Sequence, residues 1–195
     1  MFHSFYNDYQ AEFIAVIQSL DYSVIETMVQ RIEEARLSGN QVFLIGNGGS
    51  AASASHWACD FGKGINVEGS DRLRVISLAD NSALMSAFGN DAGYENVFVE
   101  PLKNLLLPGD VVIGLSVSGD SENVVRAFRY ARKCQATIIS LVGEKKGRMK
   151  QYSDYSLVIP SSNYGIVEDV HMFVNHVISQ FIRKENEKMQ VLGDL

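Results

Sequence analysis

Residues 43–62 read FLIGNGGSAASASHWACDFG. An apolar run stops at Gly46-Asn47-Gly48-Gly49-Ser50, small residues follow, and then His56 and Asp60 appear. An apolar strand, a glycine loop and a helix in that order make the first strand–helix unit of an α/β protein. Glycines at such a turn let the backbone approach a ligand closely, although a tight turn alone would also use them. The run does not match GxGxxG, so it does not indicate a dinucleotide site.

The pattern repeats outward from this stretch. Strands are expected at 41–45, 74–79, 110–116, 137–142 and 155–160. Helices are expected from 50–61, 82–106 (in segments), 121–132, a short piece near Arg148, and a long closing helix over 166–187. The strands are apolar throughout rather than alternating, which suits a sheet covered on both faces. Five such strands alternating with helices predict a three-layer α-β-α fold around a five-stranded parallel sheet, for which the flavodoxin-like order 2-1-3-4-5 is the expected arrangement though the alternation does not itself set it. Before it, residues 5–38 carry helical spacing (Phe5, Tyr9, Phe13, Val16, Ile17, Leu20, then Val24, Met28, Ile32, Ala35), broken at 21–23. The whole chain, 1–195, reads as one domain, with N-terminal helices over 1–38 and an α/β core over 41–187.

Composition narrows the function. The chain has 195 residues, 46% hydrophobic and 21% charged, with a net charge of −6. That balance argues against a nucleic-acid binder, which needs a basic face. No run approaches the ~18 apolar residues of a membrane span, and no leader pattern opens the chain, so a cytoplasmic location is expected. Cys59 and Cys134 are far apart and read as reduced thiols. The basic cluster KKGRMK, 145–150, reads as a solvated turn.

In the expected strand order, the loops after the first and third strands share one crevice. The second of these loops is SVSGDS, 116–121. Ser116, Ser118 and Ser121 cluster where a strand meets a helix, with Ser121 a good N-cap. A helix N-terminus with serine donors is a phosphate cradle, although a capped turn would also look this way. The loop has no lysine, so it is not a Walker motif. His56 and Asp60 are spaced i and i+4, on one helix face. The last helix carries Glu168, Asp169, His171 and His176. At 100° per residue, Glu168 and His176 lie about 80° apart and Asp169 and His176 about 20° apart. Two histidines and carboxylates on two helices can form a metal site or an acid–base pair. His171 reads as structural.

Taken together, GNGGS, the His56-to-Asp60 helix, GND (89–91), SVSGDS and EDVHMFVNH (168–176) resemble the sugar isomerase (SIS) domain, and within it the phosphoheptose isomerase family. The resemblance implies an aldose–ketose isomerase, converting sedoheptulose 7-phosphate to D-glycero-D-manno-heptose 7-phosphate as a homotetramer with zinc. It implies that Ser116, Val117, Ser118 and Ser121 surround the phosphate. Asn47, Gly48, Gly49, Asn90, Asp91 and Glu168 would contact substrate. His56, Asp60, Glu168 and His176 would fall at the metal positions, with Asp60 and His176 sharing the proton transfers and either able to be the base. Three positions depart from the family pattern: Asp60 replaces glutamate, Glu168 replaces glutamine, and Val117 replaces threonine. The rival reading is a non-catalytic SIS adaptor or sugar-phosphate sensor that binds a partner such as a replication initiator. Histidine and carboxylate on both helices favour the enzyme. An isomerase of a hexose or aminosugar phosphate is a third reading.

Overall fold

The computed structural model describes residues 1–193, with side chains through residue 191. Two helices come first, α1 (Phe2–Gln18) and α2 (Tyr22–Leu37). The break between them falls at residues 19–21, where Asp21 caps α2 by accepting from the Ser23 N–H. The core then runs β1 (Gln41–Gly46), α3 (Gly49–Cys59), β2 (Arg74–Ser77), α4 (Ser82–Asp91), α5 (Val99–Leu105), β3 (Val111–Ser116), α6 (Glu122–Lys133), β4 (Thr137–Val142), α7 (Met149–Tyr152), β5 (Tyr155–Val158) and α8 (Tyr164–Gly193).

All the pairings among the described residues are parallel, and the order is β2-β1-β3-β4-β5, the flavodoxin-like arrangement expected. Side chains alternate between two apolar layers, as the two-residue period of a strand requires. Val42, Leu44, Val111, Ile113, Leu115, Ile139 and Leu141 pack with Met28, Ile32, Trp57, Phe61, Val170, Val174 and Ile178 from α2, α3, the turn that follows α3, and α8. Phe43, Ile45, Val112, Ile138 and Val142 pack with Phe98, Leu102, Val124, Phe128 and Met149 on the other face. The central strands are therefore buried on both sides, which explains their uninterrupted apolar sequence.

Two elements are shorter than expected. β2 ends at Ser77 rather than residue 79, and β5 ends at Val158 rather than residue 160. Both are edge strands with a single neighbour, and Pro160 has no N–H to continue a ladder. The expected helical stretch 82–106 is cut by Gly93, at φ +89°, and a 3₁₀ turn at Tyr94–Asn96. The helix expected to reach residue 61 instead widens at Asp60. Residues Asp60–Gly64 form a π-helical turn, closed by the Ile65 N–H donating to the Asp60 carbonyl (3.0 Å). Turns of this kind concentrate at functional sites.

The contact that aligns the two candidate helices is buried. Trp57 on α3 is fully buried, stacks edge-on against Phe61 at 5.5 Å, and donates its Nε1–H to the His171 carbonyl on α8 (3.0 Å). An indole carries a large apolar body and one donor, so it both fills the interhelical space and fixes the register. Replacing Trp57 by Phe removes that donor and leaves a small cavity. It is expected to lower stability by about 1–3 kcal/mol, read as a reduced urea midpoint by far-UV circular dichroism. Fluorescence cannot serve, since the chain has one tryptophan.

Candidate active site

The carboxyl ends of β1 and β3 are neighbours, with Gly46 in register with Leu115. Their two loops therefore wall one crevice of about 320 Å³, lined by Asn47, Gly48, Gly49, Ser50, Leu115, Ser116, Val117, Ser118, Ser121, Tyr164 and Glu168. The glycine loop and the serine loop are tied together. Asn47 and Asn123, the latter buried in α6, exchange reciprocal amide hydrogen bonds of 2.9 Å, and the Tyr94 hydroxyl donates to Asn47 Oδ1 (2.9 Å). The Asn47 amide is thus committed to holding the crevice walls.

Two helix N-termini open onto this crevice, and they differ. Gly48 caps α3 at φ +55°, a left-handed conformation that glycine adopts without penalty. The space a Cβ would need at Gly49 is taken by the Glu168 carboxylate. A carboxylate against a helix N-terminus is favourable, so the positive end of α3 is already answered from within the chain. The N-terminus of α6 is answered only in part: Asn123 Oδ1 accepts from the Val124 N–H (2.9 Å), while Ser121, its N-cap residue, makes no side-chain capping hydrogen bond. Its hydroxyl lies 3.5 Å from Ser116 Oγ, which lies 3.4 Å from Ser118 Oγ and accepts from the Gly119 N–H (3.1 Å). Three hydroxyls converge there beside the first turn of α6, an arrangement suited to phosphate. Val117 is largely buried, so only its backbone is offered.

Two carboxylates, Asp120 and Glu122, flank Ser121 and would repel an anion. Arg148 answers both: Nε donates to Asp120 Oδ1 (2.9 Å), Nη2 to the Asp120 carbonyl (2.8 Å) and Nη1 to Glu122 Oε2 (2.7 Å). Asp120 is held below the ordinary carboxylate range by the Arg148 hydrogen bonds, and Glu122 by those from Arg126 and then Arg148. The basic turn at 145–150 is thus a brace for the serine loop as well as a solvated surface.

Further along α3 and α8, His56, Asp60 and His176 come together, each offering one donor atom within 4.8 Å of the others. His56 Nε2 and His176 Nε2 are 3.3 Å apart, and Asp60 Oδ2 is 3.4 Å from the first and 3.7 Å from the second. Neighbouring ligands on a tetrahedral zinc with bonds near 2.0–2.1 Å stand about 3.3–3.4 Å apart, so this donor set fits that ion. Both histidines are about half exposed, and the cluster opens on a hollow of about 170 Å³ that also includes Gly64, Ser179, Gln180 and Arg183. Among the expected metal residues, Glu168 is not in this cluster. It lies two turns earlier on α8, in the crevice. Asp169, the alternative partner for His176 by helical angle, is engaged elsewhere. It accepts from the Tyr9 hydroxyl on α1 (2.6 Å), and this bond together with burial pushes the Tyr9 pKa up to about 12.

Asn90 and Asp91 are not among the crevice residues. They end α4, where Asn90 Nδ2 donates to Asp91 Oδ1 (2.7 Å), and Tyr94 is the residue of this segment that reaches the glycine loop. Asn123, Tyr94 and Arg148 carry no local signal in the sequence, because each acts across a long chain separation.

The fold agrees with the comparisons. The family model of the SIS domain matches residues 5–143, and the chain belongs to that family. The phosphoheptose isomerase of Clostridium acetobutylicum is 34% identical over 161 residues, covering 83% of this chain and 82% of the relative. That of Aliarcobacter butzleri is 36% identical over 181 residues, covering 89% and 95%. Within the SIS class, the chain is a member of the phosphoheptose isomerase family. The solved phosphoheptose isomerase of Neisseria gonorrhoeae has the same fold, with a TM-score of 0.86 at 24% identity over 94% of this chain and 100% of that one.

His171, between the crevice and the cluster on α8, is fully buried, and among the described residues its ring nitrogens make no well-formed hydrogen bond, the Leu141 backbone being the nearest acceptor. Burial lowers its pKa to about 4, with the Leu141 backbone opposing. The folded form therefore excludes a proton that the unfolded chain takes up near pH 6.5. Stability is full above that pH and falls as pH drops towards about 4, by up to roughly 1.4 kcal/mol per pH unit. His171→Leu is expected to flatten this limb in urea unfolding measured between pH 7 and 4.5.

Proposed function

We propose that the protein interconverts sedoheptulose 7-phosphate and D-glycero-D-manno-heptose 7-phosphate, as a homotetramer with zinc at His56, Asp60 and His176. As a member of the phosphoheptose isomerase family it is a sugar phosphate isomerase. The single observation that carries the finer reading is the separation of two unlike sites along two helices. Serine hydroxyls and the open end of α6 suit a phosphate, while imidazole and carboxylate groups suit proton transfer. With a rise of about 1.5 Å per residue, seven residues from Gly49 to His56 and eight from Glu168 to His176 set the two sites about 10–12 Å apart along the helices. A substrate that bridges them carries its reacting carbonyl several carbon atoms from its phosphate, as a seven-carbon sugar 7-phosphate does.

Ser116, Ser118, Ser121 and the backbone at Val117 hold the phosphate, with Gly48 and Gly49 forming the opposite wall. Asn47 keeps the two walls in place. Glu168 faces the middle of the crevice, where it can accept from sugar hydroxyls. Binding energy at the phosphate end positions the carbons at the other end. Isomerisation removes a proton from the carbon next to the carbonyl and returns one to the neighbouring carbon through an enediol. Asp60 and His176 are the groups for these transfers; a side chain bound to zinc is a poor base, so each acts as ligand or as proton carrier at a given step, not as both. Zinc, when bound, would polarise the substrate carbonyl. Exposed apolar side chains on α1 and α8, including Phe2, Phe5, Tyr6, Ile14, Val177 and Phe181, supply the surface for subunit contacts. Light scattering coupled to size exclusion should return four times the chain mass.

The purified enzyme with added zinc should turn over sedoheptulose 7-phosphate. Asp60→Asn should lower kcat by at least about 100-fold, followed by a coupled assay of aldose formation. Unchanged turnover would remove Asp60 from proton transfer, and preference for a hexose phosphate would replace the substrate.

Arg148→Met should raise KM severalfold while leaving kcat little changed. It uncovers Asp120 and leaves Glu122 with Arg126 alone, beside the phosphate and away from the reacting carbons. Steady-state kinetics at fixed ionic strength checks this, and Asp120→Asn with Glu122→Gln in the same background should restore KM.

A further inference from the structure

The Asp60 carboxylate has one contact that neither the family resemblance nor the sequence indicates. Asn175 is fully buried on α8, next to His176, and its Nδ2 donates to Asp60 Oδ2 at 2.6 Å. The accepting atom is the same oxygen that faces both imidazoles, at 3.4 Å from His56 Nε2 and 3.7 Å from His176 Nε2. A carboxylate oxygen has lone pairs for two partners, so the amide takes one from the interior and leaves the other directed at the histidines.

The amide orientation is determined by this contact, because an ionised carboxylate only accepts and the NH₂ group must face it. Its Oδ1 is left buried with no hydrogen-bond partner among the described residues. An apolar residue would fill this position without stranding a buried oxygen, so packing alone does not account for asparagine here. Asp60 keeps α-helical geometry, with its N–H donating to the His56 carbonyl, so its side chain stays on the His56 face while the helix widens only after it.

We propose that Asn175 is a positioning residue that aims Asp60 Oδ2 at His56 and His176 and so sets the affinity of the cluster for a divalent cation. The inference rests on the reading of this cluster as the metal centre. Partners of metal ligands of this kind are worth about 10–100-fold in metal affinity.

The test uses metal-free full-length protein titrated with Co²⁺, followed by its visible absorption bands, with Zn²⁺ competition. Wild type should bind Co²⁺. Asn175→Leu, shown to be folded by circular dichroism, should bind about 10–100-fold more weakly with altered bands. Asn175→Ala, which deletes the same donor with less bulk, should do the same and stands in if the leucine variant does not fold. A double-mutant cycle separates positioning from general damage: in an Asp60→Ala background, removing Asn175 should change Co²⁺ affinity no further. Wild-type affinity and bands in a folded Asn175 variant would overturn the inference while leaving the metal centre standing. An equal loss in both backgrounds would overturn it as well. Failure of the wild type to bind Co²⁺ would overturn the metal centre and this inference together.

Discussion

The structure of the site depends on one buried wedge. Trp57 occupies the space between α3 and α8 and donates to the backbone of α8 at His171. That bond ties the two helices at one point, and further contacts join α8 to α3 and to the turn that follows it. Gly49 meets Glu168, Asp60 meets Asn175, and the Ile65 carbonyl accepts from Asn186. The imidazoles of His56 and His176 stand 3.3 Å apart as part of this series. A slide of one helical turn would separate them by about 5 Å. The exposed chemistry is thus fixed by a contact that is itself hidden from solvent.

The sheet order does the other half of the work. Because β3 follows β1 in space, the α3 and α6 N-termini open onto the same crevice. Two positive helix ends side by side would compete for an anion. Glu168 settles that competition by occupying the end of α3, which leaves α6 and its serines as the open site. Arg148 plays the complementary part on the far side by neutralising Asp120 and Glu122. Charge around the crevice is therefore arranged by side chains that lie outside the two loop motifs themselves.

The sequence made much of this legible, for identifiable reasons. Five apolar runs separated by helical spacing identify strands buried on both faces, and the five strands form as expected. His56 and Asp60 share a face because i, i+4 spacing depends on one helix alone. What the sequence could not show depends on the relation between elements. The angle between Glu168 and His176 along α8 does not say which neighbour each one meets, and only the docking of α8 on α3 sends them to different hollows. Asn175, Asn123 and Arg148 act over separations of 115, 76 and 28 residues, with no motif to mark them. The widening at Asp60 leaves no trace in hydrophobic spacing, since Phe61 is buried either way.

The paired amides of Asn47 and Asn123 also bear on chemical ageing. An asparagine followed by glycine loses its side-chain nitrogen when the next backbone nitrogen attacks the side-chain carbonyl carbon, and Asn47-Gly48 is such a pair. Here the amide is clasped by Asn123 on both its polar atoms and by Tyr94 on its oxygen. Attack requires the side chain to rotate out of that clasp first. The loop that most needs a small, unhindered backbone is thereby shielded from the slow deamidation that such a backbone invites.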